Sequence, residues 1–256
     1  MTVREMRSSD AVKGSLLLAS SFPQELGCYL PYAQPGTARF LEDELARAGK
    51  NPTKKFLVFE DEDQIAGFAE YRLEGAETAF LAYICVAGWA RRRGVATALV
   101  EQFLVSHPSV RRLELDVFEE NLAAARLYEG LGFATTGVTS WYRRELPEPT
   151  LPLEIPDAAT MEVTHERYSF SQCEFRVAGE TRRVGRIGRT VLRCFDERTF
   201  RDDALLSQLR ATFSGVREAL LIGAPSGRSD LPHGSSEIVR SRRMVWELPF
   251  AMGDPT

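Results

Sequence analysis

The residues whose types and order could do chemistry run from Leu81 to Leu99. A strand-like apolar stretch, Leu81-Ala-Tyr-Ile-Cys-Val86, passes through Gly88-Trp89-Ala90 into Arg91-Arg92-Arg93-Gly94-Val95-Ala96-Thr97. An amphipathic stretch with Leu99, Val100, Phe103 and Leu104 follows. A strand that turns directly into a helix leaves the first N–H groups of that helix without partners, at the positive end of its dipole. Such groups hold anions. Gly94 and Ala96 keep side chains clear of the backbone, and the three arginines add charge and forked donors. The pattern predicts a site for a phosphate-bearing ligand, with room for a diphosphate to touch the backbone. The competing reading is a structural turn with solvated arginines, and the residues downstream weigh against it.

Further along come Leu115-Asp116-Val117, then Asn121, Ala125, Leu127-Tyr128-Glu129 and Leu131-Gly132-Phe133. Together with the first stretch these resemble the GNAT superfamily of N-acetyltransferases. The coenzyme A signature of that family, Q/R-x-x-G-x-G/A, is matched by Arg91-x-x-Gly94-x-Ala96. The resemblance covers most of residues 1–146. It implies direct transfer of an acetyl group from acetyl-CoA to an amine, either a small molecule or a peptide N-terminus. It also implies that two neighbouring parallel strands splay and that pantetheine enters between them like an added strand. The backbone of Ile84, Cys85 and Val86 would then bind the pantetheine amides, with the Val86 N–H donating to the thioester carbonyl as it gains charge. Arg91, Arg92, Arg93, Gly94, Val95, Ala96 and Thr97 would surround the pyrophosphate. Asn121 would bond near pantetheine, a role compatible with capping its helix.

By the same resemblance Tyr128 is the general acid for the departing thiolate; a core tyrosine is the alternative. The general base is open. Asp116 could accept a proton from an ammonium group, directly or through water, although a partly exposed strand carboxylate is the plainer reading. Glu70 is the other candidate, because the hairpin before the central strand borders the acceptor cleft in this family. Cys85 reads as strand core, since no histidine is placed to activate it. A second class of function keeps the site without turnover: an acyl-CoA-binding sensor or scaffold.

The elements that must position these residues follow from periodicity and punctuation. Val3–Met6 is extended, Ser8-Ser9-Asp10 offers a cap for a helix to Ser21, and Pro35-Gly36-Thr37 opens a second helix that Gly49 ends. Residues 56–60 and 65–73 form a hairpin, and a strand over 78–86 feeds a helix over 94–106. A strand over 110–118, a helix over 121–131 and an extended run over 133–146 complete an α/β (α+β) domain: a GNAT-like mixed central sheet flanked by helices. Three prolines between Leu146 and Pro152 mark a linker, which puts the boundary near residue 148. Residues 1–148 are then the acetyl-CoA-binding domain. Residues 149–256 form a smaller β-β-α-β-β domain, in which strands over 169–177 and 184–195 precede a helix capped by Asp202 or Asp203. That succession suggests a degenerate second GNAT-like unit that could line the acceptor site, dimerise or support the first. The loop at 223–236 carries His233 with no evident role.

Composition bounds the rest. The 256 residues are 44% hydrophobic and 27% charged, which fits a globular chain. Net charge is −4, and residues 150–256 carry 15 basic against 15 acidic side chains, so no positive field favours nucleic acid. Arg182-Arg183-Val-Gly-Arg186-Ile-Gly-Arg189 imitates a phosphate loop, but no apolar helix follows and it reads as a hairpin with a basic exposed face. Arg240-Ser-Arg242-Arg243 reads as a solvated strand edge. Four scattered cysteines point to reduced thiols, and three histidines without ligand spacing predict no metal. No run is long and apolar enough for a bilayer and no signal-peptide layout opens the chain, so the expected compartment is the cytoplasm.

Overall fold

Strand β1 (Thr2–Glu5) pairs antiparallel with β2 (Lys54–Asp61), which forms a hairpin with β3 (Gln64–Leu73), and β3 pairs antiparallel with β4 (Thr78–Val86). The hairpin turns at Glu62 and Asp63, both at positive φ, where the acidic dipeptide tolerates a left-handed backbone. Helices α1 (Ala11–Ala19) and α2 (Thr37–Ala46) precede β2. After β4, α3 (Val95–Ser106) leads to β5 (Arg112–Phe118), and α4 (Leu122–Leu131) leads to β6 (Ala134–Glu145). The later chain runs α5 (Ala158–Tyr168), β7 (Phe170–Val177), β8 (Glu180–Ile187), β9 (Val191–Cys194), α6 (Glu197–Arg201), α7 (Asp203–Thr212), β10 (Glu218–Gly223) and β11 (Ser236–Glu247). The computed structural model describes residues 2–47, 53–223 and 231–248. Gly49, expected to end α2, and loop residues 224–230 lie outside the described residues.

The chain forms two compact units that are not consecutive in sequence. The described residues of the first come from 2–21, 41–138 and 241–248; those of the second come from 22–40 and 139–240. In the first unit β4 runs parallel to β5, and the far side of β5 is occupied by β11, antiparallel from Ser241 to Glu247. One face of this sheet carries the core, with Leu57, Ala69, Tyr71, Leu81, Leu113, Leu115 and Met244 packed under Leu99 and Phe103 of α3 and Tyr128 of α4. In the second unit β6 pairs with β10, β10 lies parallel to β9, and β9, β8 and β7 follow antiparallel. Its core gathers Val184, Leu192, Phe200, Leu206, Leu209, Phe213 and Leu221.

Three expectations change. The prolines at 147, 149 and 152 do stand between β6 and α5, yet a single cut near 148 does not separate the units, because the first unit is completed by residues 241–248 and residues 22–40 belong to the second. The β-β-α-β-β succession is also too short. Helix α5 precedes β7, and the run over 184–195 is two strands broken at Gly188, whose φ is +56°. The supposed basic face of that hairpin is partly interior, since Arg186 is buried, ion-paired with Glu162 and stacked over Phe213.

Candidate functional site

The first unit has a gap in its sheet. β4 pairs with β5 from Thr78–Arg112 to Leu81–Leu115 and no further. On its other side the β3–β4 register slips: Glu70 faces Tyr83 while Tyr71 faces Leu81, so Ala82 is the extra residue of a β-bulge. A bulge bends its strand, and here the bend begins where β4 leaves β5. From Tyr83 to Val86, the stretch containing Ile84, Cys85 and Val86, β4 is held by β3 alone. An unpaired strand edge of this kind can bind an extended chain of amides through its backbone.

The end of that strand runs into a turn with two left-handed residues. After the 3-10 turn Gly88–Ala90, the backbone takes left-handed conformations at Arg92 (φ +61°) and at Gly94 (φ +76°), and α3 begins at Val95. A Cβ on Gly94 would meet nothing within 4 Å, so glycine is required there for conformation and not for space. No side chain caps α3, which leaves the leading N–H groups of Val95, Ala96 and Thr97 available to a ligand. Arg91 and Arg92 are exposed, and Arg93 is ion-paired with Asp61 at 3.3 Å. The Val95 side chain packs inward over Gly67, where a Cβ would lie 2.6 Å from Val95 Cγ1. That close approach fixes the start of α3 against β3. Trp89, beside the turn, is half exposed.

The remaining candidates divide between the two faces of the sheet. Tyr128 lies in the core under α3 and α4, 4% exposed and edge-on to Phe133 at 5.5 Å. Burial alone pushes its phenol well above the ordinary value, so it holds its proton. Asn121 caps α4, accepting the Ala124 N–H at 3.2 Å. Glu70 stands on the opposite face, fully buried, and accepts a bond from Arg72 Nε at 2.9 Å. Asp116 is on that same face, alternating with core residues Leu115 and Val117, and is held by Arg243 in a forked pair at 2.6 and 2.9 Å. Cys85 is buried, and burial pushes its thiol up to about 12, which removes it as a nucleophile.

Sequence reasoning missed Arg243 on this second face. Arg240-Ser-Arg242-Arg243 is not a solvated edge: Arg240 binds Glu237, and Arg243 binds Asp116 and Glu114. No local signal could have found the Arg243 pairs, since their partners are 127 and 129 residues away.

The second unit is built differently at the corresponding place. Its parallel pair runs the full length of β9, Val191–Cys194 against Glu218–Leu221. The helices that follow carry their own carboxylates on their first N–H groups: Asp196 accepts from Thr199 and Asp202 from Leu205. Those donors are taken. Among the described residues, no group of three or more His, Cys, Asp or Glu could hold a metal ion, and no helix is long and apolar enough to cross a membrane.

Residues 20–133 match the model of the acetyltransferase (GNAT) family. A tandem GNAT protein from the clavulanic acid biosynthesis pathway, solved without acetyl-CoA, is 15% identical and superposes over 96% of this chain and 98% of its own, with a TM-score of 0.65. A Pyrococcus horikoshii protein, 16% identical, superposes over 97% of this chain and 89% of its own, with a TM-score of 0.59. The PaiA N-acetyltransferase of Thermoplasma acidophilum, crystallised with coenzyme A, is 15% identical and covers 53% of this chain and 90% of its own, with a TM-score of 0.45. No curated protein matches the chain.

Proposed function

We propose that this chain, whose residues 20–133 match the acetyltransferase (GNAT) family, is an N-acetyltransferase that works from its first unit. The observation that carries this reading is the gap between β4 and β5 running directly into the uncapped start of α3. The co-substrate that fits is an acyl thioester on a long diamide arm ending in a pyrophosphate, namely acetyl-CoA. The backbone of Ile84, Cys85 and Val86 receives the arm, and Val86 N–H faces the thioester oxygen as charge develops there. Residues 91–97 hold the phosphates through backbone donors and arginine charge. The acceptor is an amine, on a small molecule or a peptide N-terminus, which attacks the thioester carbon. A C–N bond forms, the C–S bond breaks, the amine gives up a proton and the sulfur leaves as thiolate. Tyr128, protonated by virtue of its burial, donates to that sulfur. The reaction is assigned to the cytoplasm, in keeping with four free cysteines.

The carboxylate that takes the amine proton is assigned to Glu70 in preference to Asp116. Both oxygens of Asp116 are engaged by Arg243, so neither is turned toward an incoming ammonium group. Glu70 sits cross-strand from Tyr83, at the bulge where β4 departs from β5.

The test is thiol release from acetyl-CoA across a panel of amines, repeated with Glu70→Gln and Asp116→Asn. Glu70→Gln should lower kcat by about 10²–10⁴-fold, while Asp116→Asn should cost far less. The reverse pattern would assign the base to Asp116. The second reading, an acyl-CoA sensor or scaffold, is favoured by the sealing of both carboxylates in arginine pairs. It predicts binding of acetyl-CoA with no amine-dependent release.

A further inference from the structure

Resting on the acetyl-transfer reading, we propose that Arg243 is a positioning residue for the transfer site, fixing the point at which β4 and β5 part. It reaches that point from the last strand of the chain. Arg243 lies opposite Asp116 in the β11–β5 register. Asp116 is the first residue of β5 beyond the last β4–β5 pair, Leu81 with Leu115. The guanidinium bonds both oxygens of Asp116, at 2.6 and 2.9 Å, and a third donor reaches Glu114 at 3.1 Å. The same group lies over the Phe80 ring, 5.1 Å from its centre, and Phe80 is the β4 partner of Glu114. One planar fork therefore ties β11, β5 and β4 together at the apex of the gap.

Glu114 is held from its other side as well, by Arg112 Nε at 2.6 Å, and Arg112 also binds Glu247. The result is a ladder of alternating charge across β5 and β11 that lets neither strand shift along the other without breaking paired bonds. Ion pairs with this much exposure add little to stability. Their consequence is orientation, because a rigid five-donor fork leaves few alternative arrangements. The splay of β4 from β5 sets where a thioester in the gap presents its carbonyl, and transfer rates fall steeply when reacting groups are displaced by about 1 Å. A lysine keeps the charge but has neither the fork nor the flat stacking surface for Phe80.

The test compares wild type, Arg243→Lys and Arg243→Met, with acetyl-CoA titrated calorimetrically and turnover followed with an amine that the wild type accepts. The expected result is a fall in kcat of roughly 10- to 100-fold in both variants, with the Kd for acetyl-CoA within about threefold of wild type, since residues 91–97 hold the phosphates, and melting temperatures close to wild type. Wild-type kcat in both variants would overturn the proposal and leave the acetyl-transfer reading intact. Loss of kcat together with loss of folding in both would make Arg243 a structural residue and overturn it too. A wild type that turns over no amine would overturn the transfer reading itself, and this proposal with it.

Discussion

A chain cut after residue 148 is expected not to fold, although the proline cluster makes that position look like a domain boundary. The cut removes the strand that pairs with β5 from Ser241 to Glu247. Met244 is fully buried in the first unit and Val245 is 5% exposed. Trp246 packs against Phe133, with ring centres 5.5 Å apart, and its Nε1 lies 3.0 Å from the Cβ position of Gly132. Burying three such side chains contributes about 5–8 kcal/mol, which is comparable with the about 5–15 kcal/mol by which a folded domain exceeds its unfolded state. β5 would also become an open edge, exposing a row of backbone groups to aggregation. Residues 22–40 would fare no better, because Phe40 packs on Tyr168 and Phe170 and Tyr29 bonds Glu218 at 3.1 Å, all within the second unit. Circular dichroism melting and limited proteolysis of residues 1–148 should show no cooperative transition. A cooperative melt at the temperature of the intact chain would contradict the segment exchange.

Tyr128→Phe should separate chemistry from binding. The ring stays, so its edge contact with Phe133 and its place in the core are kept. Removing one hydroxyl should change stability by about 1 kcal/mol or less. Turnover should fall by about 10²–10⁴-fold, the range for loss of a positioned proton donor, while the acetyl-CoA Kd holds, because the proposed contacts to the arm and phosphates lie elsewhere. The pH dependence has a definite sign. Burial raises the phenol above its ordinary value, so the protonated, active form persists through neutral and mildly alkaline pH, and Tyr128 should impose no alkaline limb near pH 10. Stopped assays across pH check both points. Unchanged kcat in the variant would remove Tyr128 from the mechanism.

What was legible in the sequence is what local chemistry dictates. The strand Thr78–Val86, the turn at Gly94, the cap at Asn121 and the left-handed end of α4 at Gly132 (φ +101°) each depend on residues within a few positions. Helix α5 was missed because its buried residues, Met161 and Tyr168, are two turns apart with the polar Thr164 and His165 at the turn between them, and because Pro156 precedes it in a proline-rich stretch. The break between β8 and β9 hides in Ile187-Gly188-Arg189, where one glycine among arginines carries the turn. Strand alternation tells which side chains face inward but not which strand lies alongside. Nothing in residues 241–247 says that their partner is β5. For the same reason the candidate site was half legible: the glycine turn that opens α3 could be read, whereas the burial of Glu70 and the capture of Asp116 by Arg243 depend on contacts made in the folded chain.

On the proposed reading, the gap between β4 and β5 and the turn at residues 91–97 form an acetyl-CoA site. Calorimetric titration of the full chain with acetyl-CoA, beside the double variant Arg91→Glu/Arg93→Glu, tests it most directly. The reversal removes two positive charges and sets a carboxylate beside Asp61, which now pairs with Arg93. The wild type should bind with micromolar affinity and one equivalent per chain, and binding should be lost in a variant whose circular dichroism shows it folded. A folded wild type that binds no acetyl-CoA, or a variant that binds as tightly as the wild type, would contradict it.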